Sequence, residues 1–302
     1  MRKWICLMLA ALMLVSPAFA LSFTDSAGIG LTLDTPPQRV AVLFSSLAEI
    51  WLEAGGEIAV TVGESIERGF CGEDIPLVDA GSGKSINAEL LLSCAPDFVI
   101  CSADTPAQAE LAGLLNRAGI PCAQMCIDSL ADYLYTLEVM TAITENPAAY
   151  ETSGAAVQAQ VEALLKSEGA QALAGMRILF VRAGSTARST KAKGTQDHFA
   201  CAMLAELGCI NIADEAPILL DGLSMESILA ADPDYVLFAM QGDEAAARAN
   251  IESMLQTPAW AQLAAVRQGR WAILPKELFH FKPNARWAQA YAYLINLLSE
   301  AS

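Results

Sequence analysis

The sequence has few cations and very few histidines. Its 302 residues carry 18 lysine and arginine side chains against 34 aspartate and glutamate side chains, and only two histidines. A formal net charge of −16 repels phosphate backbones and anionic lipid headgroups. We therefore predict no binding to nucleic acid or to a membrane surface, and expect small molecules or basic protein surfaces as partners.

Long apolar runs are also missing beyond the N-terminus, although the mean hydropathy is +0.38. Arg2-Lys3 precedes the apolar stretch Trp4 to Val15, which is too short to span a bilayer, and Ser16-Pro17-Ala18-Phe19-Ala20 follows it. This order predicts a secretory signal peptide over residues 1–20 and an exported chain that does not span the membrane. Cleavage would remove two cations and leave a net charge of −18.

Cysteine is present, but not at the spacings of metal ligands. Seven of the eight cysteines would remain after cleavage, and an odd number cannot all form pairs. The spacings Cys122-x3-Cys126 and Cys201-x7-Cys209 fit no zinc ribbon or finger. We expect buried thiols, with one or more disulfides as the alternative.

The sequence after the signal alternates short apolar runs with helical patterns. Such an alternation predicts an α/β unit with a parallel sheet. A hairpin is predicted over 23–33, strands over 39–44, 58–62, 98–101 and 120–125, and helices over 46–54, 87–93 and 107–118.

An internal repeat is the strongest pattern. Residues 87–100 reappear as 224–237, and in each copy a glutamate, Glu89 or Glu226, lies seven residues before Pro-Asp. The offset is about half of the chain, so duplication of a whole lobe explains it better than a short repeat array. We predict an N-terminal lobe over 21–145 and a C-terminal lobe over 170–302.

The segment between the lobes predicts one long helix over 146–169. Asn146-Pro147 is typical of a helix start, and small or apolar residues then recur every three or four positions from Tyr150 to Leu164. A helix of this length spans about 33 Å, enough to cross a small domain. The predicted fold is therefore α/β, with two similar parallel-sheet lobes joined by a long rigid connecting helix.

Four sequence features occur in an order typical of one protein class. They are the opening 23–28 with 37–40, the paired glutamate repeats, Asp197-His198-Phe199-Ala200, and residues 282–287. With them, the sequence resembles the ABC-transporter substrate-binding proteins whose two lobes are joined by a helical backbone. The resemblance implies a periplasmic or otherwise extracytoplasmic monomer, not an enzyme, with a ligand cleft between its lobes.

The resemblance also implies a ligand and a partner. Members of the class carry ferric siderophores, haem or cobalamin, and a separate branch carries bare Zn²⁺ or Mn²⁺. The implied partner is an ABC permease dimer with its ATPase, onto whose arginines Glu89 and Glu226 would dock. Two exposed carboxylates on rigid helices can pair with two cations. The alternative for each glutamate is a favourable place in the first turn of a helix.

Two histidines, His198 and His280, cannot make a three-histidine metal site. The predicted ligand is therefore a metal chelate, an iron siderophore or haem, with cobalamin as the alternative and no resident cofactor. Two other classes stay open: a free Zn²⁺ carrier, and an exported hydrolase using Asp197, His198 and either Cys201 or a serine. Against the hydrolase, no Gly-x-Ser-x-Gly motif occurs.

Candidate cleft residues come from the loops that follow the predicted strands, since ligands of such lobes sit beyond the carboxyl ends of the strands. Arg182 is expected to face an anionic chelate, and His280 could be an axial ligand to a metal or line an aromatic wall. For Lys191 the alternative is an ordinary solvated loop. The full set is Phe44, Ser45, Ser46, Phe70, Ser102, Arg182, Ser185, Lys191, His198, Met240, Gln241, His280 and Arg286.

Overall fold

A computed structural model describes residues 20–79 and 85–300. The predicted signal peptide, apart from its last residue Ala20, lies outside these ranges. Within them, no helix combines the length and the apolar character needed to cross a membrane.

The N-terminal lobe holds a three-stranded parallel sheet in the order β3-β4-β5. In its register Val40 pairs with Phe98, and Val99 with Cys122, while β1 and β2 form the predicted antiparallel hairpin. The strands are β1 (Leu21–Thr24), β2 (Gly30–Leu33), β3 (Val40–Val42), β4 (Phe98–Ser102) and β5 (Cys122–Met125), and the helices are α1 (Ser45–Glu53), α2 (Gly63–Glu67), α3 (Ala88–Ser93), α4 (Pro106–Arg117) and α5 (Leu130–Ile143).

One predicted strand of this lobe, 58–62, is absent. Its residues make only isolated parallel bridges, Val60 to Ala41 and Thr61 to Leu77. The chain leaves the sheet there because α2 begins at Gly63.

The connection between the lobes is helical but interrupted. It consists of α6 (Pro147–Tyr150), a π-helical turn (Glu151–Ala155) and α7 (Ala156–Leu165), followed by the separate α8 (Glu168–Gln171). The long helix therefore ends at residue 165 and not at the predicted 169. The side chain of Ser167 accepts the Ala170 N–H at 3.2 Å and starts α8 as a new helix.

A tyrosine of the N-terminal lobe holds the π-helical turn. The Tyr133 hydroxyl donates to the Ser153 carbonyl at 2.8 Å, so this carbonyl has a partner outside the helix. Gly154 in the same turn is buried. A Cβ there would lie 3.1 Å from the Tyr150 ring and 3.3 Å from Leu137.

The C-terminal lobe holds a mostly parallel sheet in the order β10-β9-β6-β7, with β8 also paired to the start of β6. Only β7 runs antiparallel, beside β6, and it contains Lys191. The strands are β6 (Arg177–Ala183), β7 (Lys191–Ala192), β8 (Ile210–Asn211), β9 (Tyr235–Met240) and β10 (Trp271–Ile273), and the helices are α9 (Phe199–Glu206), α10 (Ile212–Glu215), α11 (Ile218–Asp221), α12 (Met225–Ala231), α13 (Glu244–Leu255), α14 (Ala264–Arg267), α15 (Lys276–Phe279) and α16 (Trp287–Ser299).

The sequence repeat folds as a structural repeat. In the first copy, the Asp97 carboxylate accepts the backbone N–H of Gln38 at 2.7 Å and of Arg39 at 2.8 Å, at the start of β3. In the second copy, Asp234 accepts the N–H of Arg177 at 2.8 Å, at the start of β6. Each Pro-Asp thus ties the beginning of its own strand to that of the neighbouring strand. The predicted α/β fold with two similar lobes is confirmed.

A single apolar core crosses from one lobe into the other. Phe98 and Ile100 of β4 belong to the same buried cluster as Phe180 of β6 and Trp287 of α16. Side chains of this size contribute about 1.5–3 kcal/mol each when fully buried. Each lobe also has a separate core on the other face of its sheet, and the seven described cysteines are free thiols, four of them buried. The lobes are therefore held together by this shared core as well as by the helical connection.

We predict that Asp97→Ala and Asp234→Ala each lower the free energy of unfolding by about 1 kcal/mol, because each leaves a strand N–H without its charged acceptor. The loss should be larger at half-buried Asp234 than at exposed Asp97. Urea denaturation measures it, with Asp34→Ala at an exposed position as the control. Equal stability of both variants and the control would contradict the assigned role of the motif.

Glu53, at the end of α1, titrates close to neutrality. Burial and the charge of Glu49 raise its pKa to about 7, although the Tyr133 hydroxyl 3.3 Å away stabilises the anion. The folded state therefore binds this proton more tightly than the unfolded chain.

We predict that the stability contributed by this proton is complete below about pH 4.5 and is lost as the pH rises through about 7. The loss amounts to about 3 kcal/mol. Glu53→Gln should remove this part of the pH dependence, as measured by urea denaturation from pH 4 to pH 8. An unchanged slope in the variant would show that other groups cause it.

Candidate ligand cleft

A cleft of about 280 Å³ lies between the two lobes. Its walls come from the loops that follow β3 and β9, from the end of β6, and from α2 and the chain after α15. The carboxyl ends of strands from both sheets therefore meet there, as expected for this fold class. The lining residues are Phe44, Ser45, Ser46, Val62, Glu64, Arg182, Gln241, Gly242, His280, Phe281 and Lys282.

Two further chambers adjoin this cleft. The second chamber, about 420 Å³, shares Glu64 and Phe281 with the cleft and has a highly charged wall. The third chamber, about 320 Å³, contains Asp128, whose carboxylate pairs with Lys282 of the cleft. The second chamber is completed by Glu49, Glu67, Arg68, Phe70, Lys276, Glu277 and Arg286, and the third by Ser129, Asp132, Thr195, Gln196, Asp197, His198, Phe199 and Ala202.

The N-terminus of α1 forms part of the cleft wall. Ser45 and Ser46 begin this helix, and they are only 1% and 2% exposed. The N-cap residue Phe44 offers no side-chain hydrogen bond to the first turn. The positive end of the helix dipole is therefore left uncompensated by a cap beside the cleft.

The cations around the cleft differ in their partners. Arg68 and Arg286 both pair with Glu49, at 3.0 Å and 2.7 Å, and Lys282 pairs with Asp128. Arg182 has no ion pair among residues 20–79 and 85–300, and burial lowers the pKa of its guanidinium. Because arginine stays charged in proteins, Arg182 is a half-buried positive charge without a carboxylate partner.

The two histidines occupy different chambers, and both are neutral. Burial and the charge of Arg182 lower the pKa of His280 in the cleft. Burial lowers the pKa of His198 to about 3 in the third chamber, where Nδ1 accepts the Ala200 N–H at 3.2 Å. The ring of His198 lies beside those of Phe180 and Phe199, with centroids 4.8 and 4.6 Å away.

The structure brings six of the predicted cleft residues together and separates the rest. The six are Phe44, Ser45, Ser46, Arg182, Gln241 and His280, while Phe70 and Arg286 line the second chamber and His198 lines the third.

Four predicted cleft residues line none of these chambers. Ser102 is buried and its Oγ accepts the Asp104 N–H at 3.2 Å, whereas Met240 packs into the core of the C-terminal lobe. Ser185 and Lys191 are exposed on the segment that contains β7. A position after a strand therefore did not suffice to place a side chain in the cleft.

Sequence reasoning missed Glu49, Glu64, Arg68 and Lys282. Three of them lie on or beside α1 and α2, and not in the loop directly after a strand. Glu49 did carry a signal, since it stands alone within the apolar stretch Leu47 to Leu52 of a buried helix. A buried carboxylate in such a place requires paired cations.

The residues of the hydrolase hypothesis form no hydrogen bonds with one another within the described part of the chain. Asp197 accepts the Gly194 N–H at 3.0 Å, and His198 accepts a backbone N–H through Nδ1. The Cys201 thiol is buried beside the Lys193 carbonyl, and burial raises its pKa. Neither histidine belongs to the one group of potential metal ligands within the described ranges, Asp104, Cys126 and Asp128.

Comparison with known proteins identifies the fold family. The family model of the periplasmic binding protein matches residues 40–278. The structure resembles apo periplasmic heme-binding protein RhuT from Roseiflexus sp. RS-1 (23% identity, TM-score 0.70, 87% of this chain and 98% of that one). It also resembles periplasmic vitamin B12 binding protein BtuF of Vibrio cholerae (17%, 0.71, 88% and 98%) and siderophore binding protein BauB bound to two acinetobactin molecules and ferric iron (15%, 0.71, 94% and 98%). No curated protein sequence matches.

The family match covers most of the chain, and the solved structures share its fold over 87% to 94% of its length. The two lobes, their repeated strand motif and the cleft between them agree with that assignment. This chain belongs to the periplasmic binding protein family.

Proposed function

We propose that this protein is the substrate-binding component of an ABC importer and that its ligand is an anionic metal chelate, a ferric siderophore or haem. The observation that carries the proposal is Arg182, a half-buried cleft cation that pairs with no carboxylate among the described residues. A negatively charged oxygen placed in the cleft would complete this ion pair.

The other groups of the cleft support an anionic ligand. The uncapped N-terminus of α1 adds a partial positive charge, and Lys282 adds an ammonium group already shared with Asp128. The cleft wall also carries one carboxylate, Glu64, but this group accepts the Ser45 hydroxyl and forms no ion pair with Arg182 within the described residues. The cleft and the second chamber together fall within the usual size of small-molecule sites, about 300–1,000 Å³.

His280 adds a possible contact to the metal itself. Its imidazole is neutral, and only a neutral imidazole has the lone pair that an axial ligand needs. Haem iron offers an open axial position for such a ligand. A siderophore would meet the same side chain as a polar contact.

Export and delivery complete the proposed function. The predicted signal peptide over residues 1–20 would direct the chain out of the cytoplasm. Glu89 and Glu226 are exposed, and each is the second residue of a helix in its copy of the repeat. Their equivalent positions in the two lobes would suit docking onto a permease dimer.

We expect the mature protein to bind an anionic chelate at micromolar concentration or below. A panel of a ferric tris-catecholate, haem, a neutral ferric trihydroxamate and cobalamin, titrated by tryptophan quenching, identifies the ligand class. Arg182→Gln should weaken binding of the anionic chelate at least tenfold, about 1.4 kcal/mol, with little effect on a neutral one.

Arg177→Gln is the matched control, because Arg177 pairs with Glu215 on the surface of the C-terminal lobe. Binding of the neutral trihydroxamate alone, or equal affinity of Arg182→Gln and the wild type, would contradict an anionic ligand. Failure of all four probes would contradict the chelate assignment.

We expect Glu89→Lys/Glu226→Lys to abolish uptake in cells while ligand affinity stays unchanged, since both residues lie outside the cleft. Uptake of labelled ligand and titration of the purified protein measure the two properties. Glu110→Lys/Glu252→Lys, with one exposed glutamate changed on α4 and one on α13, is the matched control for the change of charge. Normal uptake by the double variant would exclude the docking role.

A further inference from the structure

A short segment of the C-terminal lobe lies directly against the N-terminal lobe. We name residues Phe281–Arg286 the crossing segment. Its Asn284 is fully buried, has a left-handed backbone (φ 53°), and donates through Nδ2 to the Ser46 carbonyl at 2.9 Å and to Glu49 Oε2 at 2.8 Å. Asparagine is one of the few residues that adopt this conformation readily. The crossing segment is therefore shaped to reach α1.

Glu49 receives bonds from both lobes at once. Its Oε1 pairs with Arg286 Nη1 of the crossing segment at 2.7 Å, and its Oε2 pairs with Arg68 Nη2 of its own lobe at 3.0 Å. It is 6% exposed. Within the described residues, no other carboxylate lies within 4.0 Å of either guanidinium.

Arg68 links Glu49 to two serines of the cleft wall. While Nη2 binds Glu49, Nη1 donates to Ser45 Oγ at 3.2 Å and to Ser46 Oγ at 3.3 Å. The guanidinium also lies over the rings of Phe70, at 4.5 Å, and Phe281, at 4.1 Å, so it contacts both lobes.

Because arginine can only donate hydrogen bonds, Arg68 determines how the hydroxyl groups of Ser45 and Ser46 are oriented. A guanidinium can only donate, so both serine oxygens act as acceptors toward Arg68. The Ser45 hydroxyl donates to Glu64. The Ser46 hydroxyl donates to no acceptor within the described residues, and because Ser46 lines the cleft, its hydrogen is available to an anionic oxygen bound there.

We propose that Glu49 is the positioning residue of the cleft: through Arg286 and Asn284 it fixes the crossing segment against α1, and through Arg68 it orients the Ser45 and Ser46 hydroxyls. Glu49 lines the second chamber and not the cleft, so it acts on a ligand bound in the cleft through these neighbours. The effect on affinity rests on the proposed function, whereas the effect on the lobes does not.

The test is Glu49→Gln, which keeps the shape of the side chain and removes its charge. The two guanidiniums then lose the carboxylate with which they pair, and unpaired buried charges are strongly unfavourable. In ligand-free protein, hydrogen exchange measured by mass spectrometry should become at least tenfold faster in peptides covering the crossing segment and the start of α1, and remain unchanged in β9 and α13. Affinity for the chelate that binds wild type should fall at least tenfold.

Glu215→Gln is the matched control, since Glu215 pairs with one arginine, Arg177, and lies on the surface. It should change neither exchange in the crossing segment nor affinity. A purely structural role for Glu49 would instead accelerate exchange throughout both lobes.

A second variant, Arg286→Gln, decides the question if Glu49→Gln does not fold. It removes the Arg286 ion pair and keeps the Asn284 bond to Glu49, and it should accelerate exchange in the same peptides. The double variant should exceed Glu49→Gln by less than twofold, because both changes break one connection. Unchanged exchange of the crossing segment in either folded variant would overturn the proposal. If no chelate binds wild type, the proposed function fails, and the exchange result still decides the role of Glu49.

Discussion

The carboxylate of Glu49 is bonded to both lobes, and the geometry of the cleft depends on those bonds. A buried carboxylate is unfavourable unless cations and donors surround it, and here one arginine comes from each lobe together with the Asn284 amide. Any separation of the lobes would leave charge unpaired in a water-poor interface. The apolar core that continues from the N-terminal sheet to α16 opposes the same movement. Electrostatics and packing thus favour one arrangement of the cleft.

The scarcity of cations makes their placement informative. Four of the described lysines and arginines form ion pairs, and three of them, Arg68, Arg286 and Lys282, lie around the cleft. Arg182 forms no ion pair with any carboxylate in the part of the chain that the structure describes, although burial makes its charge costly. Buried charged side chains without an ion-pair partner are typical of functional sites. The same reasoning explains why exposed Lys191, a candidate on sequence grounds, carries less weight.

Much of the fold was predictable because it depends on local patterns. The repeat of 87–100 in 224–237 identified both lobes, and the Pro-Asp of each copy makes equivalent strand contacts. The two errors arose where tertiary contacts prevailed over pattern. Residues 58–62 have the composition of a strand, but the chain turns into α2 at Gly63. The helical periodicity of the connection did not reveal that Ser167 would begin another helix, or that Tyr133 would hold a π-helical turn at Ser153.

The sequence by itself determined the α/β class, the duplicated lobes and the loops from which a cleft would form, because hydrophobic period and repeats are properties of neighbouring residues. Only the tertiary structure decided which side chains meet in the cleft. Ser46, Glu49, Arg68 and Asn284 come from α1, the end of α2 and the crossing segment, so no spacing along the chain records their contact. Buried charges pair only when their atoms lie about 3 Å apart. Here the paired residues are far apart in the sequence, and only folding brings them to that distance.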